Sequence, residues 1–263
     1  MRLPRLLVLV SLWLAGCQPA GGVLGVQNFS LPPPAIPAPS PVVQATPAVS
    51  PSPPPPSPPR PVESPVRSPV NLPVPFGSQA PYAVWDDLHN EACEEAAMLM
   101  ANAYRKGEKL TPHLMEQGIL NLVKWQTEHG YSVDVTATET AKILQEYFGL
   151  TARLVPAPTA ANIRAELDFG RAVIVPAAGR KLGNPNFRRP GPIYHMLVIR
   201  GYDAIHDEFI TNDPGTRKGE GYRYTTNVLM AAIHDWPKPG KTKADVTDAE
   251  MEAGQAVAIV VER

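Results

Sequence analysis

Cysteine is almost absent from this chain. Cys17 and Cys93 are the only two in 263 residues. Cys17 falls in a targeting segment, which leaves Cys93 alone in the globular part, so no disulfide framework forms there. The histidines are scattered and show no paired ligand spacing, so no zinc site or other cofactor is expected. An excess of either charge is also missing: 24 Lys and Arg stand against 25 Asp and Glu. Nothing in that balance points to a nucleic-acid partner. No internal repeat is present, and nothing specifies an oligomer. The most apolar run, residues 6–15, is too short to span a bilayer.

Proline, by contrast, is abundant. The chain holds 32, and nineteen of them lie between Pro32 and Pro75. A typical share is about 5%. The chain therefore divides into a targeting segment at 1–17, a proline-rich linker at 18–71 and a globular remainder at 72–263. Arg2 and Arg5 precede the apolar run, and Leu14-Ala15-Gly16-Cys17 follows it. That order resembles a bacterial lipoprotein signal, whose cysteine receives lipid. The resemblance implies an extracytoplasmic protein anchored to a membrane through Cys17, and Gln18 after the cysteine resembles the signal for the outer membrane where a host has one. The linker buries too little apolar surface to offset the entropy of ordering, and favours polyproline II. Its extended reach is on the order of 170 Å at about 3.1 Å per residue. A binding site for a domain that grips proline-rich segments is the other reading of it.

In the remainder, apolar periodicity predicts a helix over 91–105 with Cys93 first on its stripe. Thr111 and Pro112 open a second helix to about Glu128, and Thr136 with Glu139 opens a third. A strand at 151–155, a short helix at 159–168 and a strand at 171–177 follow. Strands at 193–200 and 207–212 come next, the first ended by Gly201 and the second closed by Asp213-Pro214-Gly215. A helix near 226–235 and a strand at 256–262 complete the chain. Helices first and strands later make this an α+β domain with a mostly antiparallel sheet.

Cys93 is either a small buried hydrophobe or a reactive thiol. A helix N-terminus favours a thiolate, but Glu91, Glu94 and Glu95 oppose one. Of the six histidines, His195 begins a strand after a glycine-rich loop. The other five fall in loops or on exposed helical faces. If the following hairpin turns near residue 204, His195 and Asp213 become cross-strand neighbours on one face. Asp213 then orients the imidazole, with Asn212 the weaker choice. Gln79 lies in a loop fourteen residues before Cys93 and can aim an amide N–H at a developing oxyanion. The loop at 178–192 carries Arg180, Lys181, Arg188 and Arg189, and borders the cleft in a position to select acidic or C-terminal groups.

These stretches resemble a known family. F-G-S-Q-A-P-Y-A-V-W-D, E-A-C-E-E-A, Y-H-M-L-V-I-R-G-Y-D and T-N-D-P-G are similar to motifs of the papain-like cysteine peptidases related to bacteriocin-processing, double-glycine-leader peptidases, in their secreted stand-alone branch. The resemblance implies a papain-like fold, with N-terminal helices packed on the sheet and a peptide or protein substrate. It makes Cys93 the nucleophile, His195 the base and acid, Asp213 the orienting group and Gln79 the oxyanion donor. Transporter-linked members carry Gly directly after the cysteine, where this chain has Glu94, so leader cleavage is not carried over. Cell-wall peptide hydrolysis and peptide binding without turnover are the alternative functions.

Overall fold

The computed structural model describes residues 69–238 and 240–262. The expected targeting segment with Cys17 and the linker prolines up to residue 65 lie outside them. The elements run β1 (Val70–Asn71), α1 (Asp87–Glu91), α2 (Cys93–Lys106), α3 (Pro112–Glu128), α4 (Ala137–Glu146), β2 (Ala152–Pro156), α5 (Ala160–Asp168), β3 (Val173–Ala178), β4 (Tyr194–Asp203), β5 (Glu208–Asn212), β6 (Tyr222–Thr225), α6 (Thr226–Ala232), α7 (Asp248–Glu252) and β7 (Val257–Val261). One antiparallel sheet holds the strands in the order β2-β7-β3-β4-β5-β6, with β1 added to β4. None of the described helices is long and apolar enough to cross a membrane.

The helix starts follow the capping chemistry. Thr111 accepts from the Leu114 N–H ahead of α3, with Pro112 in its first turn. Thr136 and Glu139 form a reciprocal capping box at α4, and Thr159 with Asn162 does the same at α5. Each such cap is worth about 1 kcal/mol. The predicted helix at 91–105 is broken at Ala92, which separates α1 from α2 and makes Cys93 the first residue of α2.

Helix α2 is buried nearly all round because it is packed from two sides. Cys93, Ala97, Met98, Met100 and Ala101 join Tyr194, Met196 and Val198 of β4 in the main core. Ala92, Ala96 and Leu99 meet Met115 and Ile119 of α3. The alanines let a helix lie close to both neighbours, and each buried methionine contributes about 1.5–3 kcal/mol. The opposite face of the sheet is covered by α5 and α6, where Leu197 and Ile199 of β4 meet Ile163, Leu167 and Leu229. Strands covered on both faces read as unbroken apolar runs, as β3 and the Met196–Ile199 stretch of β4 do.

The β4–β5 hairpin departs from the expected register. Its turn spans 204–207, with Asp203 opposite Glu208, and Val198 lies opposite Asn212. Pairing near the site is thus displaced by two residues, and a bulge between Ile199 and Gly201 displaces the rest by one more. A shift of two keeps every side chain on its face, whereas a shift of one reverses it. Asp213 is therefore a diagonal rather than a direct neighbour of His195, still within side-chain reach.

Gly201 does not end β4. The strand continues to Asp203, and Gly201 is where β1 docks: a Cβ there would sit 2.3 Å from the Val70 carbonyl oxygen. The entry segment is fastened further by Asn212, whose Nδ2 donates to the carbonyls of Val74 (3.0 Å) and Pro75 (3.2 Å). Asn212 thus serves the backbone and faces away from the imidazole's needs. Gly201→Ala should detach β1 and lower the unfolding free energy by about 1–3 kcal/mol. An unchanged urea midpoint would contradict that account.

Candidate active site

His195 lies at the start of β4, wholly buried, and its Nε2 is 2.8 Å from Oδ1 of Asp213. Asp213 ends β5 and is also fully buried. Its Oδ1 accepts the Gly215 N–H (3.0 Å), and its Oδ2 accepts from Tyr224 Oη (2.6 Å) and Asn184 Nδ2 (3.1 Å). Burial alone would raise this carboxyl. The charge and hydrogen bond of His195, helped by Tyr224 and Gly215, bring it below its ordinary value. With Nε2 engaged, Nδ1 is the ring nitrogen left to exchange a proton. Phe187 packs edge-on against the imidazole, with ring centroids 5.3 Å apart.

Gly215 is the close approach that makes this possible. A Cβ on it would lie 2.8 Å from Cε1 and 3.2 Å from Nε2 of His195. The Asp-Pro-Gly turn therefore passes close to Cε1 and Nε2 of the ring, its carboxylate bonding the imidazole and its Gly215 N–H bonding that carboxylate. The same turn receives the Gln79 loop: the Gln79 N–H donates to the Pro214 carbonyl at 3.1 Å.

Gln79, Cys93 and His195 line one cleft of about 760 Å³. Gln79 is itself buried, and its Nε2 is engaged by the carbonyls of His89 (2.8 Å) and Asn90 (3.2 Å), just ahead of Cys93. His89 does not lie on an exposed face as expected. It is buried, with Nδ1 2.7 Å from Asp86 and Nε2 3.1 Å from Glu116, and so braces the end of α1.

Cys93 is 1% exposed, and its thiol donates to Oε2 of Glu94 at 2.9 Å. No hydrogen bond joins it to His195 among the described residues. The thiol is pushed well above its ordinary value, first by burial and then by Glu94, so the helix N-terminus does not prevail in this state. Burial also drives the Glu94 carboxyl well above the carboxylate range and Glu95 up to about 7. Sequence reasoning placed the three glutamates but missed what opposes them. Lys243, in a 3-10 turn at Lys243–Asp245, ion-pairs with Glu91 and with Asp134 (3.1 Å) and reaches the cleft wall beside Cys93.

Asn184 and Tyr224 were missed too, since a lone amide in a loop and a tyrosine in a four-residue strand carry no local signal. The predicted basic loop divides. Arg180 and Lys181 turn away to Asp248 (2.6 Å) and Glu252 (2.9 Å), while Arg188 lines the cleft. Arg217 and Lys218, after the Asp-Pro-Gly turn, line it as well. Trp85, 38% exposed, also lines this cleft. Cys17 lies outside the described residues.

Comparison with known proteins bears on the whole domain. No curated protein sequence matches the chain. Among solved structures, one described as a C39-like peptidase from Bacillus anthracis aligns at 15% identity with a TM-score of 0.45, covering 75% of this chain and 98% of that one. The model of the Peptidase_C39 like family matches residues 71–244, a stretch that takes in the Gln79 loop, Cys93, the His195–Asp213 hairpin and Lys243. With an α+β, papain-like architecture and that match over most of its length, the chain belongs to the Peptidase_C39 like family and is a cysteine-type peptidase.

Proposed function

We propose that this peptidase hydrolyses peptide bonds through Cys93, with His195 as general base and acid and Asp213 as the group that orients it. The observation that carries the reading is the buried His195–Asp213 pair at 2.8 Å on the wall of a cleft that also holds Cys93. With Nε2 tied to Asp213, the imidazole takes the thiol proton on Nδ1. The thiolate then attacks the carbonyl carbon of the scissile bond. The Cys93 backbone N–H and the Gln79 amide receive the oxyanion, a donor contributing about 3–4 kcal/mol to the transition state. Gln79 exchanges one of its carbonyl partners for the substrate oxygen to do so. His195 returns the proton to the leaving amine, and water clears the thioester through a second oxyanion.

In the same reading, residues 1–17 direct the chain out of the cytoplasm, lipid on Cys17 holds it to the membrane, and the linker carries the peptidase away from the surface. The rims of the cleft speak to its substrate. Arg188, Arg217 and Lys218 line the cleft, and no salt bridge holds any of them among the described residues. Trp85 supplies an aromatic contact, with Tyr82 and Val84 also exposed on the same loop. Peptides that carry carboxylates suit such a wall.

Cys93→Ala should abolish peptide cleavage, and cleavage that survives it would remove Cys93 from the mechanism. Asp213→Asn should lower kcat about a hundredfold or more while leaving KM nearly unchanged, because the imidazole loses its tautomer and not its substrate contacts. A pair of peptides differing only by Asp for Asn tests the basic wall. Raising salt from about 50 to 500 mM should raise KM for the acidic peptide alone, since exposed charges are screened within a few ångströms. Equal salt dependence for both peptides would refute the preference.

A further inference from the structure

Around Cys93 the fold gathers four carboxyl groups, each of which opposes a thiolate when it is ionised. Glu91 comes from α1, Glu94 and Glu95 from α2 and Asp134 from the α3–α4 connection. Glu94, Glu95 and Asp134 are buried at 0%, 3% and 2% exposure. Oε2 of Glu94 holds the thiol, while its Oε1 has no hydrogen-bond partner. Tyr194 and His195 face the same region from β4. Tyr194 donates its hydroxyl to the Val135 carbonyl at 2.9 Å and so remains neutral there. Into this group comes one lysine, Lys243, anchored by Glu91 and Asp134 and standing between the cleft and a second cavity of about 590 Å³ behind α2.

We propose that Lys243 is a positioning residue for the nucleophile: its ammonium is the counter-charge that lets Cys93 leave Glu94 and pair with His195. The inference rests on Cys93 being the reactive thiol, as the peptidase reading holds. When the thiol proton passes to His195 Nδ1, the sulfur becomes an anion 2.9 Å from a carboxyl oxygen. If Glu94 is ionised at that moment, two like charges meet in a low-dielectric interior, where their repulsion is far stronger than in water. A cation among Glu91, Glu94 and Asp134 removes most of that opposition. Burial alone would lower the Lys243 ammonium, but Cys93, Glu94, Asp134 and Glu91 around it outweigh burial and keep it charged. The two anchoring carboxylates fix it in place, so its charge need not be reorganised during the reaction.

The test is the pH dependence of iodoacetamide labelling at Cys93 in the purified protein. Lys243→Met should move the labelling midpoint upward by about one pH unit or more and slow labelling at pH 7 about tenfold. Lys243→Arg keeps the charge and should stay close to wild type. Glu94→Gln acts on the opposite side of the balance. It should lower the midpoint alone and restore much of the lost rate when combined with Lys243→Met. A folded Lys243→Met protein with an unmoved midpoint would overturn the proposal, as would equal impairment by Met and Arg. Should Lys243→Met fail to fold, Lys243→Gln takes its place against Lys243→Arg in the same assay, and a midpoint that Gln leaves unmoved sinks the idea. Wild-type labelling at pH 6 no faster than that of an unperturbed thiol would instead refute the reactive-thiol reading beneath it.

Discussion

A carboxylate that is wholly removed from water keeps its charge only if the fold supplies its hydrogen bonds, and Asp213 depends on four elements to do so. His195 comes from β4, Tyr224 from β6, Asn184 from the loop after β3, and the Gly215 N–H from the turn that follows β5. Each partner pins a different piece of chain to one point. Each carboxylate oxygen is held by two of them, so losing one removes a charge-assisted bond worth about 1.5–3 kcal/mol without leaving that oxygen unpaired. The site and the right-hand part of the sheet are therefore one cooperative unit. The Gln79 loop joins it through the Pro214 carbonyl, which brings the two distant motif blocks to a common turn.

The other half of the site obeys a different constraint. Helix α2 is a core helix that happens to begin at the cleft, so its first residues are buried whatever their chemistry. Burial opposes ionisation of Cys93, Glu94 and Glu95 alike. The arrangement in the structure is accordingly a thiol bonded to a carboxyl, with the imidazole bonded to Asp213. In the proposed mechanism the thiol changes partner while the helix keeps its position.

Much of this was legible in the residues because local rules and tertiary packing agreed. Thr111-Pro112 and Thr136-Glu139 start helices where capping chemistry says they should. The α+β order followed from helical stripes preceding apolar runs. The pairing of His195 with Asp213 was reachable from hairpin geometry even though the register was off by two, because an even slip preserves the face. Where rules and packing diverged, the reading failed. Gly201 looked like a strand end and is a docking point for β1. His89 looked exposed and is a buried brace. Lys243 lies 150 residues beyond Cys93, in a short turn without periodicity, and only the folded chain brings its charge to the cleft that Cys93 lines. Tyr224 is hidden for the same reason, in a strand too short to show alternation.

The fastening of the entry segment has a mechanical side. Leu72 and Arg200 exchange hydrogen bonds at 2.8 Å, and Asn212 clasps the carbonyls of Val74 and Pro75. Any tension arriving through the chain ahead of Val70 is therefore borne by the back of the β4–β5 hairpin, one residue from Asp213. These bonds join the entry segment to β4 and to the last residue of β5. The domain can be tugged by its leading end and keep its imidazole aligned until that clasp yields.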